Sequence, residues 1–349
     1  MSGRLEKSGP QAVAAHIKRA MPWMAPLVFA GLLPFVMAGS ATALTGAKNI
    51  GADDIGARAS VALSYRGGQV RCGGAVFQDR YILTTAHCFT NGRGAMTNPA
   101  DGWEVSYWSS DGAKRETRRV VKIIIHENYL SQEKATYPAP KPWDYQNFPI
   151  HHEDIAVLEI SGTHPASAIS VFVAPIDNEY TAKPGESWRG ATWLYLYGAA
   201  VNGRGWKLQR ALLGAPGLID RVIPGKAPDI MYIARKLVIN TTGVGNGDNF
   251  MKQISGCGGD SGTGMFLVDP NNIDYDDTPT EFPTTLALKN GLPILVGLMA
   301  NVSVGGLVTD VVPDAKKRGC GRDVRSEAII ATRIDFHHDW IVSKTGGAR

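Results

Sequence analysis

A glycine-rich run at residues 256–262, Gly-Cys-Gly-Gly-Asp-Ser-Gly, is the feature that most constrains this chain. Glycine has no Cβ atom, so its backbone can turn an N–H group towards a bound anion where other residues cannot. Ser261, between Asp260 and Gly262, therefore has the surroundings of a nucleophile beside an oxyanion-binding site. On its own the run would more often be a plain turn, because such short strings recur by chance.

Two upstream segments supply the groups that such a serine needs. Residues 84–88 (Thr-Thr-Ala-His-Cys) contain His87, and residues 152–158 contain Asp154 just before an apolar run. A serine hydroxyl is a poor nucleophile at neutral pH, so His87 would take its proton as general base while Asp154 orients the imidazole. Each residue alone is more often structural, but the three in the order His, Asp, Ser favour a catalytic constellation.

The order and flanks of these motifs resemble the chymotrypsin/trypsin family of serine peptidases, and we expect a bacterial-type exported member. The resemblance implies an all-β fold of two perpendicular six-stranded antiparallel β-barrels, at about 44–165 and 166–349, with a C-terminal helix at 333–343. It also implies hydrolysis of a polypeptide substrate through an acyl-enzyme, with no cofactor and no metal. The backbone N–H groups of Gly259 and Ser261 would form the oxyanion hole.

The composition is that of an ordinary globular protein, with 44% hydrophobic and 19% charged residues. The 40 glycines and the short apolar runs bounded by turn signals favour an all-β fold independently of any resemblance. The net charge is +4 without a long basic run, so no nucleic-acid partner is indicated. We expect a monomer.

Residues 1–43 have the features of an export signal. Four basic side chains precede an uncharged apolar stretch at 21–38, and a small-residue Ala-Thr-Ala cleavage site follows at 41–43. The alternative is a membrane anchor, which the prolines in the stretch and the cleavage site disfavour. The mature domain would begin at residue 44, would meet a membrane only through its signal, and would be secreted or periplasmic.

Four cysteines follow the signal, an even number that suits an oxidising compartment. They allow three pairings. A zinc site is the alternative, disfavoured because no Cys-x-x-Cys pair occurs. The family resemblance implies Cys72 with Cys88, around the histidine, and Cys257 with Cys320, beside the substrate pocket.

The resemblance also assigns the substrate pocket. Ser255, six residues before the nucleophile, would lie at the bottom of the pocket for the P1 side chain, which precedes the scissile bond. An acidic residue there would select Arg or Lys, so Ser255 argues against basic substrates. Ala300 and Val302 match the family's substrate strand, and Val302 would narrow the pocket. We expect a preference for small or medium apolar P1 residues.

Asp260 corresponds to the carboxylate that, in the family, pairs with a newly formed N-terminal ammonium and so orders the oxyanion hole. Leu44 and Ile50 are the two candidate termini, and Leu44 is favoured because its spacing to the first strand is closer to that of the family. Two alternatives to a constitutively active peptidase stay open: a catalytically silent binding protein on the same scaffold, and a zymogen that needs activation.

An acidic, proline-containing insertion occupies residues 269–281. Its oxygen ligands could bind calcium, but their spacing fits no EF-hand loop. A solvated surface loop is therefore the favoured interpretation.

Overall fold

The computed structural model describes the chain over these ranges: residues 44–45, 48–49, 54–68, 70–91, 93–108, 116–136, 153–175, 194–202, 205–213, 230–234, 255–256, 260–269, 285–304, 307–308 and 328–347.

The first half of the chain forms a closed antiparallel barrel of six strands. It is preceded by β1 (Leu44–Thr45), β2 (Lys48–Asn49) and the short helix α1 (Ile55–Arg58), whose first N–H groups are capped by Asp54 Oδ1. The barrel strands are β3 (Ser60–Tyr65), β4 (Val70–Phe77), β5 (Tyr81–Thr84), β6 (Trp103–Ser106), β7 (Thr117–Ile125) and β8 (Ala156–Ile160). They close in the order β3-β4-β5-β8-β7-β6, and helix α2 (Glu127–Thr136) follows β7.

The described strands of the second half form a ten-stranded sheet, which also includes β2. Its other strands are β9 (Phe172–Val173), β10 (Leu194–Asn202), β11 (Gly205–Leu213), β12 (Ile230–Ala234), β14 (Gly264–Leu267), β15 (Leu288–Lys289), β16 (Leu292–Val304), β17 (Leu307–Val308) and β18 (Ala328–Arg333). Strand β13 (Ser255–Gly256) pairs instead with β1. The main path runs β12-β18-β16-β14-β10-β11-β2, and helix α3 (His338–Thr345) follows β18.

Alternation along the barrel strands divides their side chains between two cores. Ile82 and Leu158 belong to the cluster inside the barrel, together with the fully buried Trp103. Their neighbours Leu83 and Val157 point the other way and pack with residues of the second half. That second cluster includes Phe266, Leu295, Leu298, Ile334 and Ile341. Because successive side chains in a strand face opposite sides, strands β5 and β8 join the barrel to the second sheet.

The all-β class, the first six-stranded barrel and the C-terminal helix are confirmed, whereas the second barrel stays a prediction with which the ten-stranded sheet is compatible. The expected helix start at residue 333 was wrong. Arg333 is the last residue of β18, and the helix begins at His338 after a turn. Within the described ranges, no helix combines the length and the apolar character needed to cross a membrane.

Candidate active site

His87 and Asp154 are brought together by two neighbouring strands of the barrel. Strand β5 ends at Thr84 and leads into a single 3-10 turn (Ala86–Cys88) that carries His87. Strand β8 begins two residues after Asp154, and its Ala156 pairs with Thr84. Since β5 and β8 are antiparallel, the end of one strand and the start of the other lie at the same edge of the barrel. Residues far apart in sequence therefore meet there.

Two hydrogen bonds join His87 to the carboxylate of Asp154. The imidazole Nδ1 lies 2.6 Å from Oδ2, and the backbone N–H of His87 donates to Oδ1 at 2.9 Å. The Asp154 side chain is only 10% exposed and that of His87 is 30% exposed. An ionised carboxylate accepts hydrogen bonds and cannot donate them, so Nδ1 carries the proton in this pair. The neutral imidazole then has its lone pair on Nε2, ready to accept a proton.

Ser261 lies in the loop that precedes β14, and its backbone is hydrogen-bonded to strand β4. The N–H of Gly73 donates to the carbonyl oxygen of Ser261 at 2.7 Å, and Cys88 Sγ lies 4.0 Å from the same oxygen. On the other side of the loop, the N–H of Gly262 donates to the carbonyl of Met299 in β16 at 2.7 Å. The serine is thus held between the barrel and the second sheet, beside the residue that follows His87.

Gly262 allows this close approach because it has no side chain. Its φ is +79°, and a Cβ atom there would lie 2.2 Å from Thr84 Oγ1 and 2.5 Å from the carbonyl oxygen of Gly73. Those two atoms are themselves hydrogen-bonded, with Thr84 Oγ1 donating to Gly73 at 2.8 Å. Both the backbone angle and the space therefore require glycine directly after the serine.

The disulfide between Cys72 and Cys88 is present, which confirms one of the two expected bridges. It links β4 to the turn that carries His87, so these two cysteines are not zinc ligands. The other expected bridge, between Cys257 and Cys320, lies outside the described residues. So does Gly259, the second residue assigned to the oxyanion hole.

A hydrogen bond that the sequence alone did not reveal also supports Asp154. Thr332 in β18 donates from its buried Oγ1 to the backbone carbonyl of Asp154 at 3.0 Å. The two residues are 178 positions apart, and no local pattern around Thr332 predicts the contact. Gly73 is a similar case, because nothing in the run after Cys72 shows that it would support the serine loop.

A family model described as Trypsin matches residues 50–270. The chain belongs to the trypsin family.

Relatives of this trypsin-family chain occur among mammalian and insect proteins. "Transmembrane protease serine 11G" of Rattus norvegicus is 33% identical over 90 residues, which are 26% of this chain and 16% of that protein. "Serine protease SP24D" of Anopheles gambiae is 30% identical over 122 residues, which are 35% of this chain and 36% of that protein. The chain therefore matches far less than two thirds of either protein. These relatives are animal proteins, so they do not support the expectation of a bacterial-type member.

Of the other residues that the sequence predicts for the site, Leu44, Ser255, Ala300 and Val302 lie on strands, and Asp260 lies in the loop before β14. Strand β1 pairs with β13 so that Leu44 lies opposite Gly256, and Thr45 lies opposite Ser255. Ala300 is partly exposed in β16, and Val302, two residues further on, pairs with Ile329 of β18. Asp260 is completely buried, and its carbonyl accepts the N–H of Thr263 at 3.0 Å.

Proposed function

We propose that this chain is an exported serine endopeptidase that acts as a monomer on polypeptides, with His87, Asp154 and Ser261 as its catalytic residues. The single observation that carries the proposal is the doubly hydrogen-bonded pair of His87 and Asp154. With the proton of this pair on Nδ1, Nε2 would act as the base for Ser261, whose loop is hydrogen-bonded to the barrel at Gly73. Membership of the trypsin family supports the same chemistry.

The proposed reaction has two stages. Ser261 Oγ attacks the carbonyl carbon of the scissile peptide while its proton passes to His87 Nε2, and Asp154 stabilises the resulting imidazolium. The N–H groups of Gly259 and Ser261 would bind the negatively charged oxygen of the tetrahedral intermediate. The intermediate collapses to an acyl-enzyme as the leaving amine takes the proton from His87. Water, activated by the same imidazole, then releases the acid and regenerates the Ser261 hydroxyl.

For the substrate, we propose a preference for small or medium apolar P1 residues. Ser255 has no charge to attract Arg or Lys, and Ala300 and Val302 lie on β16, which we propose as the substrate strand. A peptide library read out by mass spectrometry tests this preference. Cleavage mainly after Arg or Lys would contradict it.

For maturation, we propose that removal of the export signal after residue 43 creates an N-terminal ammonium at Leu44 that pairs with Asp260. The pairing of Leu44 with Gly256, four residues before a fully buried Asp260, supports this route. A buried carboxylate gains most from a partner of opposite charge. N-terminal sequencing of the active form tests it, and a terminus at Ile50 would favour the alternative cleavage.

The catalytic assignment is tested by labelling with a fluorophosphonate probe, which reacts with activated serines. We expect the mature protein to be labelled and to hydrolyse peptides, and we expect Ser261→Ala not to be labelled. Hydrolysis by Ser261→Ala should fall to the residual rate that substrate binding and an oxyanion hole provide, roughly 10³- to 10⁴-fold above the uncatalysed reaction. Ser161→Ala, at an exposed serine, is the matched control and should label normally.

The same experiment separates the alternatives. Labelling only after proteolytic cleavage would indicate a zymogen. A folded, cleaved protein that never labels would indicate a silent binding protein and refute the proposed activity.

A further inference from the structure

A second group of interacting side chains adjoins Asp154 through its neighbour in the chain, Glu153. It connects the turn at Glu153 to helix α2 and then to the C-terminal helix α3. We call it the Glu153 cluster, and its members are His126, Glu127, Asn128, Glu153, Trp340 and Lys344.

The turn that presents Asp154 has an unusual backbone. Glu153 has a φ of +60°, which is uncommon for a residue other than glycine. Its carbonyl accepts the N–H of Ile155 at 2.7 Å, and the carbonyl of Ile155 accepts the N–H of His126 at 3.1 Å. The residues before and after Asp154 are therefore both fixed, so the direction of its carboxylate depends on the shape of this turn.

Helix α2 holds the side chain of Glu153. Asn128 Nδ2 donates to Glu153 Oε1 at 3.1 Å, and the backbone N–H of Asn128 donates to His126 Nδ1 at 3.4 Å. His126 Nδ1 also lies 3.6 Å from Glu153 Oε2, which is too long for a hydrogen bond. Burial lowers the pKa of His126 and outweighs the opposing effect of Glu153, so the imidazole is neutral at pH 7 and Nδ1 can accept. The other charged or titratable groups that affect His126 are Glu127, His337 and Lys344.

Helix α3 holds the start of α2 in turn. The ring of Trp340 lies 4.8 Å from that of His126 between centroids, and Trp340 Nε1 donates to Glu127 Oε2 at 2.9 Å. Lys344 Nζ donates to the other oxygen of Glu127. Although burial acts to raise the pKa of Glu127, the hydrogen bonds from Lys344 and Trp340 lower it to about 2. Glu127 is therefore ionised, and this contact persists at neutral pH.

We propose that Asn128 and Glu153 are positioning residues for Asp154, and that helix α3 acts on them through Trp340 and His126. The inference rests on the proposed function, since it explains how the proposed catalytic carboxylate is aimed. Asp154 must accept from both Nδ1 and the backbone N–H of His87, and a small rotation of the turn would lengthen both bonds. Thr332 fixes the carbonyl of Asp154 from the second sheet, and the Glu153 cluster fixes the preceding residue, Glu153, from helix α2.

A donor–acceptor exchange between the two positioning residues tests the proposal. Asn128→Asp places a second carboxylate against that of Glu153, so the hydrogen bond between the two side chains is lost. Glu153→Gln alone leaves two amide side chains, which can still form a hydrogen bond with each other. In the double variant Asn128→Asp/Glu153→Gln, the glutamine can donate to the new aspartate and restore the contact. Asn290→Asp, at an exposed turn residue that also has a positive φ, is the matched control.

Peptide hydrolysis is measured per active site, after titration with the fluorophosphonate probe, so that unfolded protein is not counted. For Asn128→Asp we expect kcat to fall about 10-fold or more, because small misplacements of catalytic groups carry penalties of this order, with KM within about twofold of wild type. The double variant should regain most of the kcat. Trp340→Ala should lower kcat in the same way, and Trp340→Phe, which keeps a ring on His126, should lower it less.

Hydrogen exchange at the amides of residues 153–160 gives a second measurement that does not depend on catalysis. Exchange should become faster in Asn128→Asp and return towards wild type in the double variant. If the wild type is inactive but this exchange pattern appears, the proposed function fails and the positioning role stands. If kcat and exchange in Asn128→Asp and Trp340→Ala match those of wild type, the positioning role is overturned.

Discussion

Replacement of Gly262 by alanine tests how tightly the serine loop is held against the barrel. Gly262 directly follows Ser261 and has a φ of +79°. A residue with a Cβ atom loses about 1–2 kcal/mol in this left-handed region because the Cβ approaches the following carbonyl. That part of the destabilisation comes from the backbone angle alone.

The surroundings of Gly262 add a second penalty. The new methyl group would lie 2.2 Å from Thr84 Oγ1 and 2.5 Å from the carbonyl oxygen of Gly73. Thr84 is completely buried and donates to that same carbonyl, so neither atom can move without breaking their hydrogen bond. Overpacking of this kind destabilises by about 1–3 kcal/mol. Together with the backbone effect, Gly262→Ala should lower the free energy of unfolding by about 2–5 kcal/mol.

Gly291→Ala is the matched control, because Gly291 has nearly the same φ, +77°, but no described atom within 4 Å of the new methyl group. Its free energy of unfolding should fall only by the part that comes from the backbone angle, about 1–2 kcal/mol. Urea unfolding of both variants with intact disulfides, followed by tryptophan fluorescence and linear extrapolation, measures the difference. The folded Gly262→Ala variant should also label more slowly with a fluorophosphonate, since Ser261 must shift with its neighbour.

The reasoning would be refuted if Gly262→Ala were no less stable than Gly291→Ala. The close contacts with Thr84 and Gly73 would then not constrain the serine loop, and its position would depend on other contacts.

Four further predictions follow from single contacts at or near the site. Asp154→Asn lets an amide donate to His87, which favours the wrong tautomer, so kcat for peptide hydrolysis should fall by about 10⁴-fold. Replacing Cys72 and Cys88 together by alanine opens a bridge with a sequence separation of 16, and urea unfolding should show a loss of about 3 kcal/mol. Thr332→Val leaves the carbonyl of Asp154 without its buried donor, and urea unfolding should show a free energy of unfolding that is lower by about 1–3 kcal/mol. The pKa of Glu127 is lowered from 4.5 to about 2, so its contribution to stability is present above pH 4.5 and is lost as the pH falls towards 2. In Glu127→Gln, the unfolding temperature should therefore decrease less between pH 4.5 and pH 2 than it does in the wild type.

Local patterns determined much of what could be predicted from the sequence. The short apolar runs that favour an all-β fold include strand β3 (Ser60–Tyr65), because alternation and β-branched residues are properties of a short segment. His87, Asp154 and Ser261 were selected by their immediate flanks and by their order, which need no knowledge of distant contacts. Cys72 and Cys88 were paired through the same resemblance, and the bridge is present.

The boundaries of elements were less predictable where two patterns overlap. An apolar periodicity continues from β18 into α3, so the residues around Ile334 fit either element. The turn at 334–337 ends the strand, and it puts Ile334 and Ile341 into the shared core. Only that packing decides that the helix begins at His338.

The sequence by itself indicated the fold class and the residues of the proposed triad, because each depends on short runs of neighbouring residues. The pairing of Cys72 with Cys88 came from the family resemblance. Only the tertiary structure decided what supports those residues. The hydrogen bond from Gly73 to Ser261, that from Thr332 to Asp154, and the space that excludes a side chain at Gly262 all join segments that are distant in the chain. The physical reason is that periodicity shows which face of a strand is buried but not which atom it will meet there, and that partner is set when the barrel and the second sheet pack together.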